Sequence, residues 1–222
     1  MELKDAIRER RSIRGFKDEP VSKETLEEVL KLATRAVSAL NSQPWEFIVL
    51  TGDVMKKIAA ENIDCFLSGA EEDIEDPVMA DEKRQRMIGV AKQLFAAMEI
   101  AREDKEKRLW WTQRGFRFFD APAAILICVD ENCDEVFHRF DVGAVTQNIT
   151  LAAMEYGLGT CVELQAVNYQ RGIKKYLDIP EGKKFIIGVA IGYPDWDFPA
   201  NNVISEREDI ANNTRWFGFE EE

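Results

Sequence analysis

The sequence predicts a single domain of α+β or α/β type, with helices layered on a sheet, and three observations support it. Runs rich in β-branched and aromatic residues alternate along the chain with stretches of helical period. No internal repeat and no Gly/Ser-rich linker divides the chain. At 222 residues and 45% hydrophobic side chains, it carries the material for one substantial core.

The elements follow in order. Leu3, Ala6 and Ile7 mark a short first helix that ends near Arg11. Ser22 is placed to cap a second helix, whose stripe of Thr25, Leu26, Val29, Leu30 and Ala33 carries it to about Val37. Residues 45–51 (WEFIVLT) read as a strand, and another helix begins near Asp53. The acidic run 71–76, closed by Pro77, reads as a solvent loop. From Met79 to about Trp111 the pattern is that of one long helix, with Met87, Ala91, Leu94, Phe95 and Met98 recurring every three or four residues. Residues 123–129 (AAILICV) form a buried strand, and 142–156 form a helix closed by Gly157 and Gly159. Two further strands are expected at 160–164 and 185–191, with a helix at about 169–177 between them. After Gly192-Tyr193-Pro194 comes a charged tail that ends in Trp216-Phe217-Gly218-Phe219. Those aromatics need a surface to cover them, either the chain's own or that of a dimer partner.

Composition narrows the function classes. A formal charge of −12 would repel nucleic acid and acidic membrane surfaces, so neither is expected as a partner. No apolar run approaches the ~20 residues of a membrane span, and the opening residues lack the apolar stretch of a secretion signal. Cys65, Cys128, Cys133 and Cys161 are scattered and read as reduced thiols, as in a cytoplasmic protein. His138 is the only histidine, so neither a metal site nor a nucleophilic triad is expected.

Two segments carry chemistry. Arg10-Arg11-Ser12-Ile13-Arg14-Gly15-Phe16 packs three guanidinium groups and a hydroxyl into five residues where the first helix runs out. Arginine presents a planar, permanently charged fork suited to phosphate and to the carbonyl edge of a heterocycle. Asn41-Ser42-Gln43-Pro44-Trp45-Glu46-Phe47 brings small and amide side chains to a turn that leads into a strand. Taken alone, the arginines also suit a solvated face that complements the negative end of a helix. The two segments together could hold an anionic, hydrogen-bonding cofactor. Trp45, Phe47 and Phe16 are better explained as core than as cofactor-stacking groups.

The pair resembles the nitroreductase family of FMN-dependent oxidoreductases, which open with Arg-[Arg/His]-Ser-x-[Arg/Lys]-x-[Phe/Tyr] and continue with Ser-x-x-Asn-x-Gln-Pro-Trp. Residues 141–153 resemble the family's central helix, which leads there, as here, into Gly157-Leu158-Gly159-Thr160-Cys161. Ile179-Pro180-Glu181-Gly182, Gly192-Tyr193-Pro194 and the spacing of Arg207 from Trp216 extend the likeness over almost the whole chain. It implies an α+β three-layer α-β-α fold, an intertwined homodimer and FMN at the subunit interface. It also implies that Arg10, Arg11, Ser12 and Arg207 hold the FMN phosphate and that Arg14 reaches the pyrimidine edge of the flavin. Ser38 and Asn41 correspond to residues on the ribityl chain and ring, and Glu163 and Leu164 to backbone amides near the flavin N5. There are departures. Val37 stands where the family often has proline, and Asp209 replaces a common proline after Arg207, which sets a negative charge near the phosphate residues.

The function implied is hydride transfer from NADH or NADPH, through flavin, to a small electron-poor acceptor such as a nitroaromatic or quinone, with no side chain singled out as a general acid or base. The alternatives are a specialised enzyme of the same fold, a reductive dehalogenase or flavin-fragmenting enzyme, and a non-enzymatic flavin-binding redox module. Within a single domain of residues 1–222, residues 66–115 are the candidate cover of the active site. Trp110 and Trp111 lie within it, and residues 195–222 are the candidate dimer-wrapping tail.

Overall fold

The computed structural model describes residues 1–74, 78–132 and 135–219; Cys133 and the end of the acidic run lie outside them. Its helices are α1 (Leu3–Glu9), α2 (Lys23–Ala33), α3 (Gly52–Ser68), α4 (Asp81–Ala97), α5 (Lys105–Phe116), α6 (Glu135–Glu155), α7 (Gln170–Tyr176) and α8 (Ile210–Asn213). The strands are β1 (Glu46–Thr51), β2 (Ala123–Asp130), β3 (Gly159–Glu163) and β4 (Lys183–Gly192). They pair in the order β1-β2-β4-β3. All pairs are antiparallel, with Glu46 opposite Cys128, Ala123 opposite Ile191 and Gly159 opposite Gly192.

Strand β2 explains why its sequence shows no alternation. Ala123, Ile125, Ile127 and Val129 face one way, onto Leu26 and Val29 of α2 and Val142, Val145 and Ile149 of α6. Ala124, Leu126 and Cys128 face the other way, onto Met55 and Ile58 of α3 and Ile173 of α7. Both faces are therefore buried, which a continuous apolar run permits and an alternating one would not. Each fully buried Ile or Leu contributes about 1.5–3 kcal/mol. The sheet thus lies between two helical layers. No helix among the described residues is long and apolar enough to cross a membrane.

Three expectations are corrected. Helix α2 is capped by Ser22, whose hydroxyl accepts from the Thr25 amide at 3.1 Å, but it ends at Ala33, short of Val37. Asn148 donates to the Ala33 carbonyl at 3.2 Å and Thr34 to the Lys31 carbonyl at 3.0 Å, so the last turn has its acceptors satisfied there. The long helix expected from Met79 to Trp111 is two, α4 and α5. The chain turns at Glu99, which has φ of 52°, and the Ile100 amide closes back on the Phe95 carbonyl at 2.8 Å. Asp104 then starts α5 by accepting from the Lys107 amide at 2.9 Å.

The acidic run is a loop with Glu71, Glu72 and Asp73 exposed, as expected, and the third correction is that two of its acids have protein partners. Asp73 accepts from the Gln170 amide at 2.7 Å, and its own amide donates to the Asn168 carbonyl at 2.8 Å. Glu72 accepts from the Asn168 side chain at 2.9 Å and from the Tyr169 hydroxyl at 3.4 Å. Asp73 therefore caps the first amide of α7, and Glu72 holds the side chains of the two residues before it. Asp73→Ala should cost about 1 kcal/mol, the usual weight of a capping side chain, whereas Glu71→Ala should cost nothing measurable. Urea denaturation of the two variants checks this, and equal midpoints would return the run to a plain solvent loop.

Candidate functional site

The arginine-rich segment is laid against the sheet edge by its backbone. The Ile13 amide donates to the Thr160 carbonyl at 2.9 Å, and the Lys17 amide to the Tyr193 carbonyl at 2.9 Å. The chain after β4 then folds over it. Gly15 leaves room for that approach, since a Cβ there would lie 2.2 Å from the Phe198 ring. Asn201, fully buried, is the fastening. Its Oδ1 accepts from the amides of Arg14 (2.6 Å) and Gly15 (3.1 Å), and its Nδ2 donates to the carbonyls of Gly15 and Asp195, both at 2.7 Å. All four hydrogen-bonding positions of the amide are used. The first part of the tail is therefore packed on its own chain.

That fold-back brings Arg207 to Arg10. The Arg10 guanidinium is half-buried, and among the described residues no acceptor meets it. Burial first, and then the positive charge of Arg207, push its pKa down. Arg207 is oriented from its own loop, donating to the Ser205 carbonyl and hydroxyl at 2.9 and 2.8 Å and to the Glu206 carbonyl at 3.1 Å. The two acids that follow Arg207 are engaged elsewhere. Asp209 caps α8 by accepting from the Ala211 amide at 2.9 Å, and Glu208 pairs with Arg86 of α4. The charge of Asp209 is thus tied to a helix end. Two guanidinium forks left without a counter-charge suit a doubly charged oxyanion such as a phosphate monoester.

Next to them stand Ser12, Arg14, Cys161 and Glu163. Arg14 donates to the Ser12 carbonyl at 3.3 Å, and its guanidinium carbon lies 5.9 Å from the centre of the Phe119 ring. The Cys161 thiol is buried, which pushes its pKa up to about 12 although Arg14, Ser12 and Arg10 pull the other way. Both carboxyl oxygens of Glu163 are buried without a hydrogen-bond partner among the described residues. Burial raises its pKa well above the ordinary carboxylate value, and only the charge of Arg14 opposes this. Leu164 follows at the turn out of β3, where its carbonyl accepts from the Val167 amide at 2.8 Å.

Three of the sequence-predicted residues stand apart from this cluster within one chain. Arg11 is turned onto the Trp196 ring, 5.5 Å from its centre. Ser38 and Asn41 belong to a loop in which Leu40, Asn41 and Gln43 all take left-handed backbone conformations. The buried carboxylate of Asp141, in α6, holds that loop by accepting from the Ala39 amide at 3.1 and 3.2 Å and from the Ser42 hydroxyl at 3.4 Å. Among the described residues no hydrogen bond, ion pair or ring contact joins Ser38 or Asn41 to the arginines. Trp45 is core, with Phe47 and Phe16 packed at its margins. Tyr169 and Tyr176 turn their hydroxyls to Glu72 and Glu61, away from the arginines.

Sequence reasoning missed Asn201 and Arg114. Neither lies in a recognisable motif, and no feature of the sequence singles out a buried polar side chain whose partners are 186 residues away or, for Arg114, 100 residues away. The nitroreductase family model matches residues 7–193, which is most of the chain and includes the arginine segment, the Asn41 loop and β3. The chain belongs to the nitroreductase family. Nitrobenzene nitroreductase of Ectopseudomonas oleovorans is 30% identical over 222 residues, covering 96% of this chain and 95% of its own. A 4-nitrobenzoate reductase of Pseudomonas putida is 27% identical, with coverage of 96% and 95%. Among solved structures, the FMN and NADPH-dependent nitroreductase NfnB from sphigopyxis sp. strain HMH superposes with a TM-score of 0.92 at 28% identity, covering 99% of this chain and 100% of that one. The three-layer nitroreductase fold is therefore the fold of this chain.

Two predictions follow for this member of the family. Asn201→Ala leaves the amides of Arg14 and Gly15 without a partner, each worth on the order of 1 kcal/mol or more, while the carbonyls of Gly15 and Asp195 keep the amides of Asp195 and Phe198, so stability should fall by about 2–3 kcal/mol in urea denaturation. A loss no larger than that of a surface substitution would show that the segment is held by other contacts. Glu163 makes a prediction about pH. Its raised folded pKa means that the native state keeps a proton where the unfolded chain has lost it, so its contribution is full below the ordinary carboxylate pKa and is lost as pH rises. Glu163→Gln should therefore be more stable than wild type at neutral pH and no more stable at about pH 4. A variant less stable at both would show that the ionised carboxylate has a partner.

Proposed function

We propose that the protein is an FMN-dependent oxidoreductase that takes hydride from NADH or NADPH and passes it to a small electron-poor acceptor, a nitroaromatic or quinone. The observation that carries this is the meeting of Arg10 and Arg207 with no carboxylate between them. Like charges approach this way at the expense of stability, and a phosphate between them turns the repulsion into binding. The rest of the cluster fits the same cofactor. Arg14 supplies permanent positive charge for a heterocycle edge, where negative charge develops on reduction. Burial pushes the pKa of Cys161 and Glu163 beside it upward, which favours their neutral forms over charges that would cancel it. FMN, when bound, supplies the redox centre that accepts and donates the hydride. The chain's own part is to bind, orient and bias it.

Ser38 and Asn41 are the remaining cofactor residues in this reading. Because they stand apart from the arginines within one chain, a site that uses both groups is completed by a second copy. A homodimer also accounts for the exposed aromatics, with Phe140, Trp216, Phe217 and Phe219 between 66% and 84% open to solvent in the single chain. The wrapping segment then begins after Asn202, since the residues before it are fastened to their own protomer. Residues 66–115 serve as the cover over the flavin, with Trp110 exposed and Trp111 half-buried in α5. A donor of the NAD(P)H type supports a cytoplasmic reading, since those nucleotides are held inside the cell.

The purified protein should be yellow and release FMN on denaturation, and it should oxidise NADH or NADPH when a nitroaromatic is supplied. Arg10→Ala should weaken FMN binding by about 1.5–3 kcal/mol, the weight of a charge-assisted hydrogen bond. Arg11→Ala should have a smaller effect, because its guanidinium rests on Trp196. A colourless protein that takes up no added FMN would overturn the reading, and equal losses in the two variants would overturn the assignment of the phosphate to Arg10.

A further inference from the structure

Arg114 is a heavily committed arginine that meets neither Arg10 nor Arg207. It lies in the last turn of α5 and is 7% exposed. One Nη donates to Asp120 at 2.7 Å, and the other donates to the main-chain carbonyls of Arg14, at 2.8 Å, and Phe119, at 3.0 Å. Its guanidinium is sandwiched by rings, 5.3 Å from the centre of Trp110 and 4.8 Å from that of Phe198. It therefore touches four parts of the fold: its own helix, the arginine segment, the turn before β2 and the fold-back after β4.

The turn it grips is strained. Phe118, Phe119 and Asp120 follow one another with φ of 55°, 52° and 57°, left-handed at three residues that carry side chains. Each such residue costs about 1–2 kcal/mol against its right-handed form, so the turn persists only where its surroundings impose it. Arg114 holds two of its three residues directly. Phe119 in turn lies under the guanidinium of Arg14. Arg14 is thus fixed twice by one residue, through its own carbonyl and through the ring beneath its head group.

We propose that Arg114 is a positioning residue for the flavin, which sets where the Arg14 guanidinium stands and so how strongly the reduced cofactor is stabilised. This rests on the reading of Arg14 as the group at the flavin's pyrimidine edge. The placement of Arg114 also has a consequence for the cover. Because it belongs to α5 and carries Trp110 on its face, a displacement of that helix is transmitted to Arg14 through a hydrogen bond of fixed length. Lysine cannot substitute, since a single ammonium lacks the planar fork that reaches Asp120 and two carbonyls at once.

The test measures the midpoint potential of FMN bound to the wild-type holoenzyme and its variants against that of free FMN, which gives the preference for reduced over oxidised cofactor, with folding followed separately by urea denaturation. Arg114→Lys and Arg114→Met should each lower the preference for reduced over oxidised FMN by about tenfold, the scale of one charge-assisted hydrogen bond. Arg14→Ala should shift it in the same direction, and adding Arg114→Lys to Arg14→Ala should produce no further shift. Arg117→Ala, which breaks a second contact to Asp120 without touching Arg14, should keep the wild-type preference. An unchanged preference in Arg114→Lys, beside a shifted one in Arg14→Ala, would reduce Arg114 to a structural staple. Additive shifts in the double variant would show that it acts independently of Arg14. If Arg14→Ala itself leaves the preference unchanged, the ring-facing role of Arg14 fails and this inference falls with it. A protein that binds no FMN in either state overturns the functional reading instead.

Discussion

The amide of Asn201 is the joint on which the arrangement of this molecule depends. The sheet would form without it, since β1, β2, β4 and β3 are paired by their own ladders and covered on both faces by α2, α6, α3 and α7. Nothing in that sheet, however, brings residue 207 to residue 10. The chain must leave β4, turn back and dock on the segment after α1, and Asn201 makes the docking specific by using every donor and acceptor it has. A carboxylate in its place could accept from the two amides but could not donate to the two carbonyls. The geometry of the charged site is in this sense set by an uncharged side chain several residues away.

Two stretches of left-handed backbone, one beside Arg14 and one in the Asn41 loop that stands apart from it, share a design. The loop Ser38–Gln43 and the turn Phe118–Asp120 each place residues other than glycine in the left-handed region. Each is imposed by one buried charged side chain, Asp141 accepting from amides in the first and Arg114 donating to carbonyls in the second. The sign of the charge follows from which backbone groups the turn leaves without partners. Strain of this kind is kept where a precise main-chain path matters more than stability.

Much of this was legible in the sequence, and the parts that were not share a cause. Elements defined by local chemistry could be read: the cap at Ser22, the apolar run of β2 and the glycine-closed helix α6. The break between α4 and α5 was hidden because Glu99, not glycine, takes the left-handed position, while the cap at Asp104 looked like one acid among many. The acidic run misled in the same way, since composition cannot distinguish a solvated carboxylate from one that caps a helix a hundred residues later. Arg10, Ser12, Arg14, Glu163 and Arg207, named from motifs, lie together in the structure. Asn201 and Arg114 were not named, because their importance lies in long-range hydrogen bonds to backbone, which leave no pattern in the residues that receive them.

The distribution of charge then has a physical explanation. A chain with net charge −12 would be expected to neutralise any cluster of arginines with its own acids. Here several of the acids near the cluster are engaged elsewhere. Asp209 is held at the start of α8, Glu208 by Arg86, Asp141 by the Ala39 loop, and Asp120 by Arg114 and Arg117. Glu163, a carboxyl buried beside Arg14, has its pKa raised by burial, which favours its neutral form. Arg10, Arg14 and Arg207 are left positive within an acidic protein, and that local field is what an anionic cofactor must find. The same acidity elsewhere on the surface repels polyanions, so the chain attracts negative charge at one place and disfavours it at most others. Selectivity for a small phosphate-bearing ligand over nucleic acid follows from that contrast.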